Sequence, residues 1–135
     1  MMDCEKDYLQ KKILIVDDEP GVRKVLKWAL EHEGYQRIEE AEDGDEAVAL
    51  SRTERLDLIV MDNQMKRLCG RQAISRIKEK NPDVKIIIMT GMPMPSLVRD
   101  CMSAGAANFI IKPIGIPHFL TLIKNQMIQP EQIPA

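Results

Sequence analysis

The sequence contains few of the residues that build soft-metal sites or disulfide frameworks. Its 135 residues include two histidines, His32 and His118, and three cysteines, Cys4, Cys69 and Cys101. An odd number of cysteines with no CxxC pair excludes the common zinc motifs and gives no basis for a disulfide framework. We therefore expect reduced thiols, with Cys101 among core residues, and we interpret both histidines as structural.

The sequence also lacks long apolar runs and a basic tract. No run approaches the roughly 20 apolar residues that a membrane span requires. Residues 1–7 are charged and no apolar stretch follows them, which argues against a secretory signal peptide. The 19 basic and 21 acidic residues give a net charge of -2, so electrostatics gives no reason to expect direct nucleic-acid binding. We expect a cytoplasmic protein with no membrane partner.

Short apolar runs alternate with helical patterns along the chain. The length suits one domain, which we expect over residues 12–127, with a polar lead-in at 1–11 and a tail or linker at 128–135. Several of the runs are apolar on both faces, as in a covered parallel sheet, whereas the second is polar enough for a sheet edge. The predicted strands are residues 13–16, 37–41, 56–61, 84–89 and 107–111.

Helix boundaries are marked by turn-forming and capping residues. Pro20 suits the first turn of a helix that Gly34 ends, and Trp28 on that helix is expected to cover the edge of the core. Asp43, followed by Glu46, has the spacing of a capping box. Five strands alternating with helices predict an α/β fold, a doubly wound parallel sheet with helices on both faces.

Polar residues end four of the predicted strands. Asp17 and Asp18 follow the first strand, Asp62 the third, Thr90 the fourth and Lys112 the fifth. Ligands of open α/β sheets bind outside the carboxyl ends of the strands, where the strand order reverses. If the first and third strands are neighbours there, the three carboxylates lie within a few ångströms of one another.

Three carboxylates at such distances repel one another and require a cation. Oxygen ligands alone favour a hard ion, and Mg²⁺ fits because it takes few protein ligands and keeps its waters. Thr90 and Lys112 do not belong in a simple metal site, but a hydroxyl and an ammonium facing a carboxylate suit a phosphoryl group. Aspartate is a known nucleophile for phosphoryl transfer, so Asp62 is predicted to carry the chemistry.

These motifs, in this order and over residues 12 to about 127, resemble the receiver domain of two-component response regulators. They are residues 13–19 (ILIVDDE), Asp62 with Met65 and Gly70 after it, Thr90-Gly91, and Lys112-Pro113. The resemblance implies the chemotaxis-type single-domain fold, a flavodoxin-like five-stranded parallel sheet of order 2-1-3-4-5 with five helices. It also implies that Asp62 takes a phosphoryl group from a sensor histidine kinase or phosphotransfer protein.

The resemblance implies a metal site and a switch. Mg²⁺ would be held by Asp17, Asp18, Asp62 and the backbone carbonyl of Gln64. The family implies that the Lys112 amine pairs with the phosphoryl group, and that the switch consists of the Thr90 hydroxyl and a rotating aromatic ring at Phe109. A plain core role for Phe109 is the alternative. The family often holds the bond after that lysine, here Lys112–Pro113, in the cis form. Phosphorylation would change the surface formed by the fourth helix, fifth strand and fifth helix. The output partner that binds this surface is unknown, and formation of a homodimer is possible in this family.

Two positions depart from the family pattern. Lys66 replaces the usual proline four residues after Asp62. The simpler interpretation is that Lys66 is a solvent-exposed lysine of the loop. The alternative is that it supplies a second positive charge to the pocket. Met92, two residues after Thr90, occupies a position that the family varies to tune hydrolysis.

Two other functions are weighed against the phosphoacceptor switch. A degenerate receiver would bind proteins without being phosphorylated, but it would have no evident need for the complete set of acids, Thr90 and Lys112. An aspartate-nucleophile phosphatase of the haloacid-dehalogenase type needs a second Asp two residues after the nucleophile, where this chain has Gln64. The first function is therefore favoured, and the protein is not expected to be a conventional enzyme.

Overall fold

The computed structural model describes residues 4–64 and 68–128, with residues 4–6 described by their backbone alone. Five strands alternate with five helices, as the sequence predicts. The elements in chain order are β1 (Lys12–Val16), α1 (Pro20–Glu33), β2 (Arg37–Ala41), α2 (Gly44–Thr53), β3 (Leu58–Asp62), α3 (Gly70–Lys80), β4 (Lys85–Thr90), α4 (Pro95–Ala104), β5 (Asn108–Ile111) and α5 (Ile116–Ile128).

The five strands form one parallel sheet of order β2-β1-β3-β4-β5. The predicted order is confirmed. β1 and β3 are direct neighbours, with Val16 paired to Met61 at the carboxyl end. The residue after β1 and the last residue of β3 therefore lie side by side, at the edge where the chain reverses its strand order.

Alternate residues of the strands supply two separate cores. On β1, Ile13 and Ile15 face a cluster that includes Leu30 of α1 and Phe119 of α5, both fully buried. The intervening Leu14 and Val16 face the cluster beneath α2, α3 and α4. Both faces of the central strands are thus covered, which explains why their sequences are apolar throughout.

The helix boundaries follow the predicted capping residues. Pro20 is the first residue of α1, and Gly34 ends that helix with φ of 109°, a left-handed conformation that favours glycine. The Asp43 carboxylate accepts a hydrogen bond from the Glu46 N–H at 2.9 Å and so caps α2. The predicted ends of α1 and the predicted N-cap of α2 are therefore confirmed. The Glu46 carboxylate accepts from the Glu42 N–H at 2.8 Å and not from that of Asp43, so the reciprocal bond of a capping box is not formed.

The beginning of the chain differs from the sequence prediction. Residues Cys4–Gln10 form a 3₁₀ helix, where an irregular lead-in is predicted. The Tyr8 ring packs edge-on against Tyr35 with ring centroids 5.8 Å apart, and the Lys124 amine lies 5.7 Å from the Tyr8 centroid. These distant contacts attach the segment to the α1–α5 side of the sheet.

Other details also differ. β3 begins at Leu58, two residues later than predicted. Trp28 is 62% exposed and stacks on His32, so the prediction that it covers the core is wrong.

The predicted tail beyond residue 128 lies outside the described residues, and the division into lead-in, domain and tail stays a prediction. Within the described part of the chain, none of the helices has both the length and the hydrophobicity needed to cross a bilayer.

Candidate functional site

Three carboxylates converge at the carboxyl edge of the sheet. Asp17, directly after β1, and Asp62, the last residue of β3, are buried, whereas Asp18 is exposed. One oxygen of each carboxylate lies within 4.8 Å of the other two. Because the adjacent strands β1 and β3 supply the buried pair, the sheet itself holds these two acids together.

Backbone donors orient the two buried carboxylates. The Glu19 N–H donates to Asp17 Oδ1 at 2.9 Å, and the Gln64 N–H donates to Asp62 Oδ1 at 3.0 Å. Each acid therefore has one oxygen bound by the loop that follows its own strand. The second oxygen of each remains available to side chains or to an ion in the pocket.

Lys112 bridges those second oxygens. Its Nζ lies 3.2 Å from Asp17 Oδ2 and 3.2 Å from Asp62 Oδ2. Lys112 follows β5 directly, and its N–H donates to the Thr90 carbonyl at 2.8 Å, which fixes it to the end of β4. Burial alone would lower the pKa of Lys112, but the charges of Asp62 and Asp17 outweigh it and the pKa is raised.

Burial governs the protonation of Asp62. Loss of solvent raises its pKa above the ordinary value, and the neighbouring Asp17 charge acts in the same direction. The Gln64 N–H and the Lys112 charge oppose the rise without cancelling it. The site thus holds more negative charge than Lys112 can compensate, an arrangement that favours binding of a cation.

The raised pKa of Asp62 predicts how metal-free protein responds to pH. The folded state binds the Asp62 proton more tightly than the unfolded state, so this group stabilises the fold most below its ordinary pKa of 3.8. The contribution is lost as the pH rises from there through the higher folded pKa. We expect the free energy of unfolding of wild type, relative to Asp62→Asn, to fall across that window. Denaturant titrations in chelator at several pH values measure it, and a difference that does not change with pH would contradict the prediction.

Thr90 ends β4 beside the acids. It is buried, and it follows Met89, the residue paired to Asp62 across the sheet. Its hydroxyl accepts a hydrogen bond from the Met92 N–H at 3.1 Å. The hydroxyl is thus held at the start of the loop that leads to α4.

Phe109 lies close to Thr90, between the sheet and α4. It is half-buried on β5 and, with Thr90 and the α4 residues Leu97 and Val98, lines a narrow gap between the sheet and α4. A ring in that position contacts both the strand that ends at Thr90 and the helix on the surface. The Lys112–Pro113 bond is cis, as expected.

The pocket fits a hard divalent cation. Its candidate ligands are carboxylate oxygens, with no histidine or cysteine in the acidic cluster among the described residues. Two of the three carboxylates are buried and the pKa of Asp62 is raised by that burial, a cost that a bound cation would remove. Oxygen ligands and few protein contacts are the preference of Mg²⁺.

The structure brings together most of the predicted site residues and adds one more. Asp17, Asp18, Asp62 and Lys112 meet directly, and Thr90 lies at the adjacent strand end. Gln64 is exposed beside Asp62, its N–H bound as described; its carbonyl as a metal ligand stays a prediction. Lys66 lies outside the described residues. The residue missed by sequence reasoning is Arg23 of α1, which donates to the Asp17 carbonyl at 2.6 Å.

Known proteins resemble this chain over most of its length. A family model, response regulator receiver domain, matches residues 13–124. Chemotaxis protein CheY of Bacillus subtilis is 34% identical over 116 residues, which are 86% of this chain and 97% of that protein. The solved structure of a CheX–CheY–BeF3–Mg complex from Borrelia burgdorferi aligns with a TM-score of 0.82 and 29% identity, over 88% of this chain and 90% of that one.

Other curated relatives are longer. The chain is 30% identical to the transcription regulator BvgA of Bordetella pertussis over 104 residues, which are 77% of this chain and 50% of that protein. The chain therefore spans about half the length of such relatives.

Proposed function

Because the chain belongs to the response regulator receiver domain family, we propose that it is a switch whose phosphoacceptor is Asp62. The observation that carries the proposal is the position of Lys112, whose amine lies 3.2 Å from both buried carboxylates of a three-acid pocket. A donor's phosphoryl group would enter between these charges.

The transfer itself is a displacement at phosphorus. A carboxylate oxygen of Asp62 attacks the phosphorus atom, a new O–P bond forms, and the donor leaves with the electron pair of the bond that breaks. Lys112 would move from the carboxylate to the phosphoryl oxygens and neutralise part of their charge. Mg²⁺, when bound by Asp17, Asp18, Asp62 and the Gln64 carbonyl, supplies the remaining positive charge.

The charge of the acyl phosphate would operate the switch. A phosphoryl group brings about 1.5 to 2 negative charges at neutral pH. In our proposal the Thr90 hydroxyl turns from the Met92 N–H toward the new oxygens, and Phe109 turns into the space beside α4. The surface formed by α4, β5 and α5, where Met102 and Ile111 are exposed, then changes its affinity for a partner. Phosphorylation shifts the equilibrium only as far as it favours one state over the other.

The donor is proposed to be the phosphohistidine of a sensor kinase or of a phosphotransfer protein. The CheY relative aligned above is in complex with CheX, BeF3 and Mg, which supports Mg²⁺ and a protein partner for this family. The downstream partner of this chain is an output domain or a separate protein, and association into homodimers is a further proposal.

Two alternatives are less well supported. A degenerate receiver would act without phosphorylation, yet the acids and Lys112 are in contact as phosphoryl transfer requires. A phosphatase with an aspartate nucleophile would need an acid two residues after Asp62, and Gln64 is there.

The direct test is the intact mass of the wild-type protein after incubation with acetyl phosphate. We expect the mass of one phosphoryl group to be gained with Mg²⁺ and not with a chelator. Absence of any gain with Mg²⁺, while Mg²⁺ still binds, would favour the degenerate receiver.

The lifetime of the phosphorylated form is predicted to depend on Met92. This side chain is 59% exposed, and its N–H is bound to the Thr90 hydroxyl. We propose that its apolar chain hinders the water molecule that would attack the acyl phosphate. We expect Met92→Glu to shorten the lifetime several-fold. Decay of the phosphorylated mass measures it, with Met94→Glu, 55% exposed in the same loop, as the matched control. Equal decay of wild type and Met92→Glu would contradict the prediction.

A further inference from the structure

Arg23 connects the acidic pocket to the edge of the sheet. It lies one turn into α1, and its side chain is 14% exposed. Its Nη1 donates to the Asp17 carbonyl at 2.6 Å and its Nε donates to Glu40 Oε1, on β2, at 3.0 Å. The planar guanidinium thus holds the end of β1 and the edge strand together in a fixed geometry.

The carbonyl that Arg23 binds belongs to the peptide between the two neighbouring acids. Because a peptide unit is planar, fixing the Asp17 oxygen also fixes the Asp18 N–H and the position of the Asp18 Cα, from which the side chain leaves the backbone. Asp17 itself has other constraints, since its N–H donates to Ala41 and its carboxylate accepts from Glu19 and Lys112.

Asp18 has no such constraints on its side chain. It is exposed, and among residues 7–64 and 68–128 its carboxylate has no hydrogen-bond or ion-pair partner within the protein. Even so, one of its oxygens lies within 4.8 Å of oxygens of Asp17 and Asp62. Its backbone must therefore set that position.

We propose that Arg23 is a positioning residue for the metal site: by holding the Asp17 carbonyl it aims the Asp18 carboxylate into the pocket. This inference rests on the proposed function, because it concerns Mg²⁺ binding at that same pocket. Arg23 does not touch the ion or the phosphoryl group. It acts through the peptide it binds.

A simpler role for Arg23 is to connect α1 and β2 through Glu40. The two roles involve different contacts of the same side chain. Lys27 also pairs with Glu40, at 3.6 Å, and has no contact with the pocket. Glu40→Gln and Lys27→Gln therefore weaken the α1–β2 link and leave the bond from Arg23 to the Asp17 carbonyl in place.

The test is Mg²⁺ binding without a phosphodonor, measured by titration calorimetry on the full chain. Loss of a residue that orients a metal ligand typically weakens metal binding about 10- to 100-fold, and we expect the dissociation constant of Arg23→Gln to rise by about tenfold. Arg23→Lys should bind Mg²⁺ more tightly than Arg23→Gln, because the lysine ammonium can still donate to the Asp17 carbonyl. It cannot bind that carbonyl and Glu40 at the same time, as the planar guanidinium does. Glu40→Gln and Lys27→Gln should bind as wild type does.

The Mg²⁺ affinities of these variants distinguish the positioning role of Arg23 from the α1–β2 link and from failure of the proposed function. Equal Mg²⁺ affinity of wild type and Arg23→Gln overturns the positioning role, and so does an equal loss in Glu40→Gln, which would assign the effect to the α1–β2 link. If Arg23→Gln does not fold, the comparison of Arg23→Lys with Glu40→Gln decides. Absence of Mg²⁺ binding by wild type overturns the proposed function itself and this inference with it.

Discussion

The Asp62→Asn variant gains no phosphoryl group from acetyl phosphate and Mg²⁺ under conditions in which the wild-type protein gains one. Asparagine has nearly the shape of aspartate, so the strand and the backbone contact at Gln64 are retained. Its uncharged amide is a far poorer nucleophile than a carboxylate. This is the largest effect we expect from any single substitution, because it converts the attacking carboxylate into a neutral amide.

Intact mass spectrometry measures this result, with circular dichroism to show that the variant is folded. Asp45→Asn is the matched control, because Asp45 is exposed on α2 and outside the acidic cluster. It should gain the same mass as wild type. A full mass gain in Asp62→Asn would place the acceptor elsewhere and would reject the assignment of Asp62.

Replacing Lys112 with Met slows phosphorylation by about 100-fold or more, the order of effect seen when a positive or hydrogen-bonding group is removed from a developing anionic centre. Its amine lies 3.2 Å from both buried carboxylates, and no other cation in the described part of the chain forms an ion pair with them. Methionine retains the apolar length of the side chain and loses the charge. The carboxylates are then opposed by Mg²⁺ alone.

The rate of mass gain at saturating Mg²⁺ and donor tests this prediction. Lys24→Met, on the exposed side of α1, removes one positive charge away from the pocket and controls for net charge. A rate for Lys112→Met close to that of Lys24→Met would show that the Lys112 charge contributes little to the transfer. Mg²⁺ affinity measured in parallel separates a slower reaction from a site that no longer binds the ion.

Much of the architecture was predictable because it depends on local patterns. Strands covered on both faces have apolar sequences, and parallel strands bring their carboxyl ends to one edge, so Asp17, Asp62, Thr90 and Lys112 could be grouped before any distances were known. The strand order came from the family resemblance. The role of each site residue is still a proposal, because proximity shows what a group can contact and not what it does.

Other features were missed for identifiable physical reasons. Trp28 was predicted to cover the edge of the core, yet α1 buries Leu26, Ala29 and Leu30. At about 100° per residue Trp28 falls on the opposite side of the helix. By the same geometry Arg23 falls beside the buried face, a position that could have drawn attention to it. The 3₁₀ helix places Tyr8 against Tyr35, a contact between residues distant in sequence that no short-range pattern contains.

The proposed acceptor, Asp62, is the last residue of a strand whose five residues are all buried. Neighbouring strands lie on both sides of Asp62 and helices cover both faces of the sheet, so its carboxylate faces the pocket at the carboxyl edge. In the proposed function a phosphoryl donor therefore reaches Asp62 from that edge, and not across either covered face of the sheet.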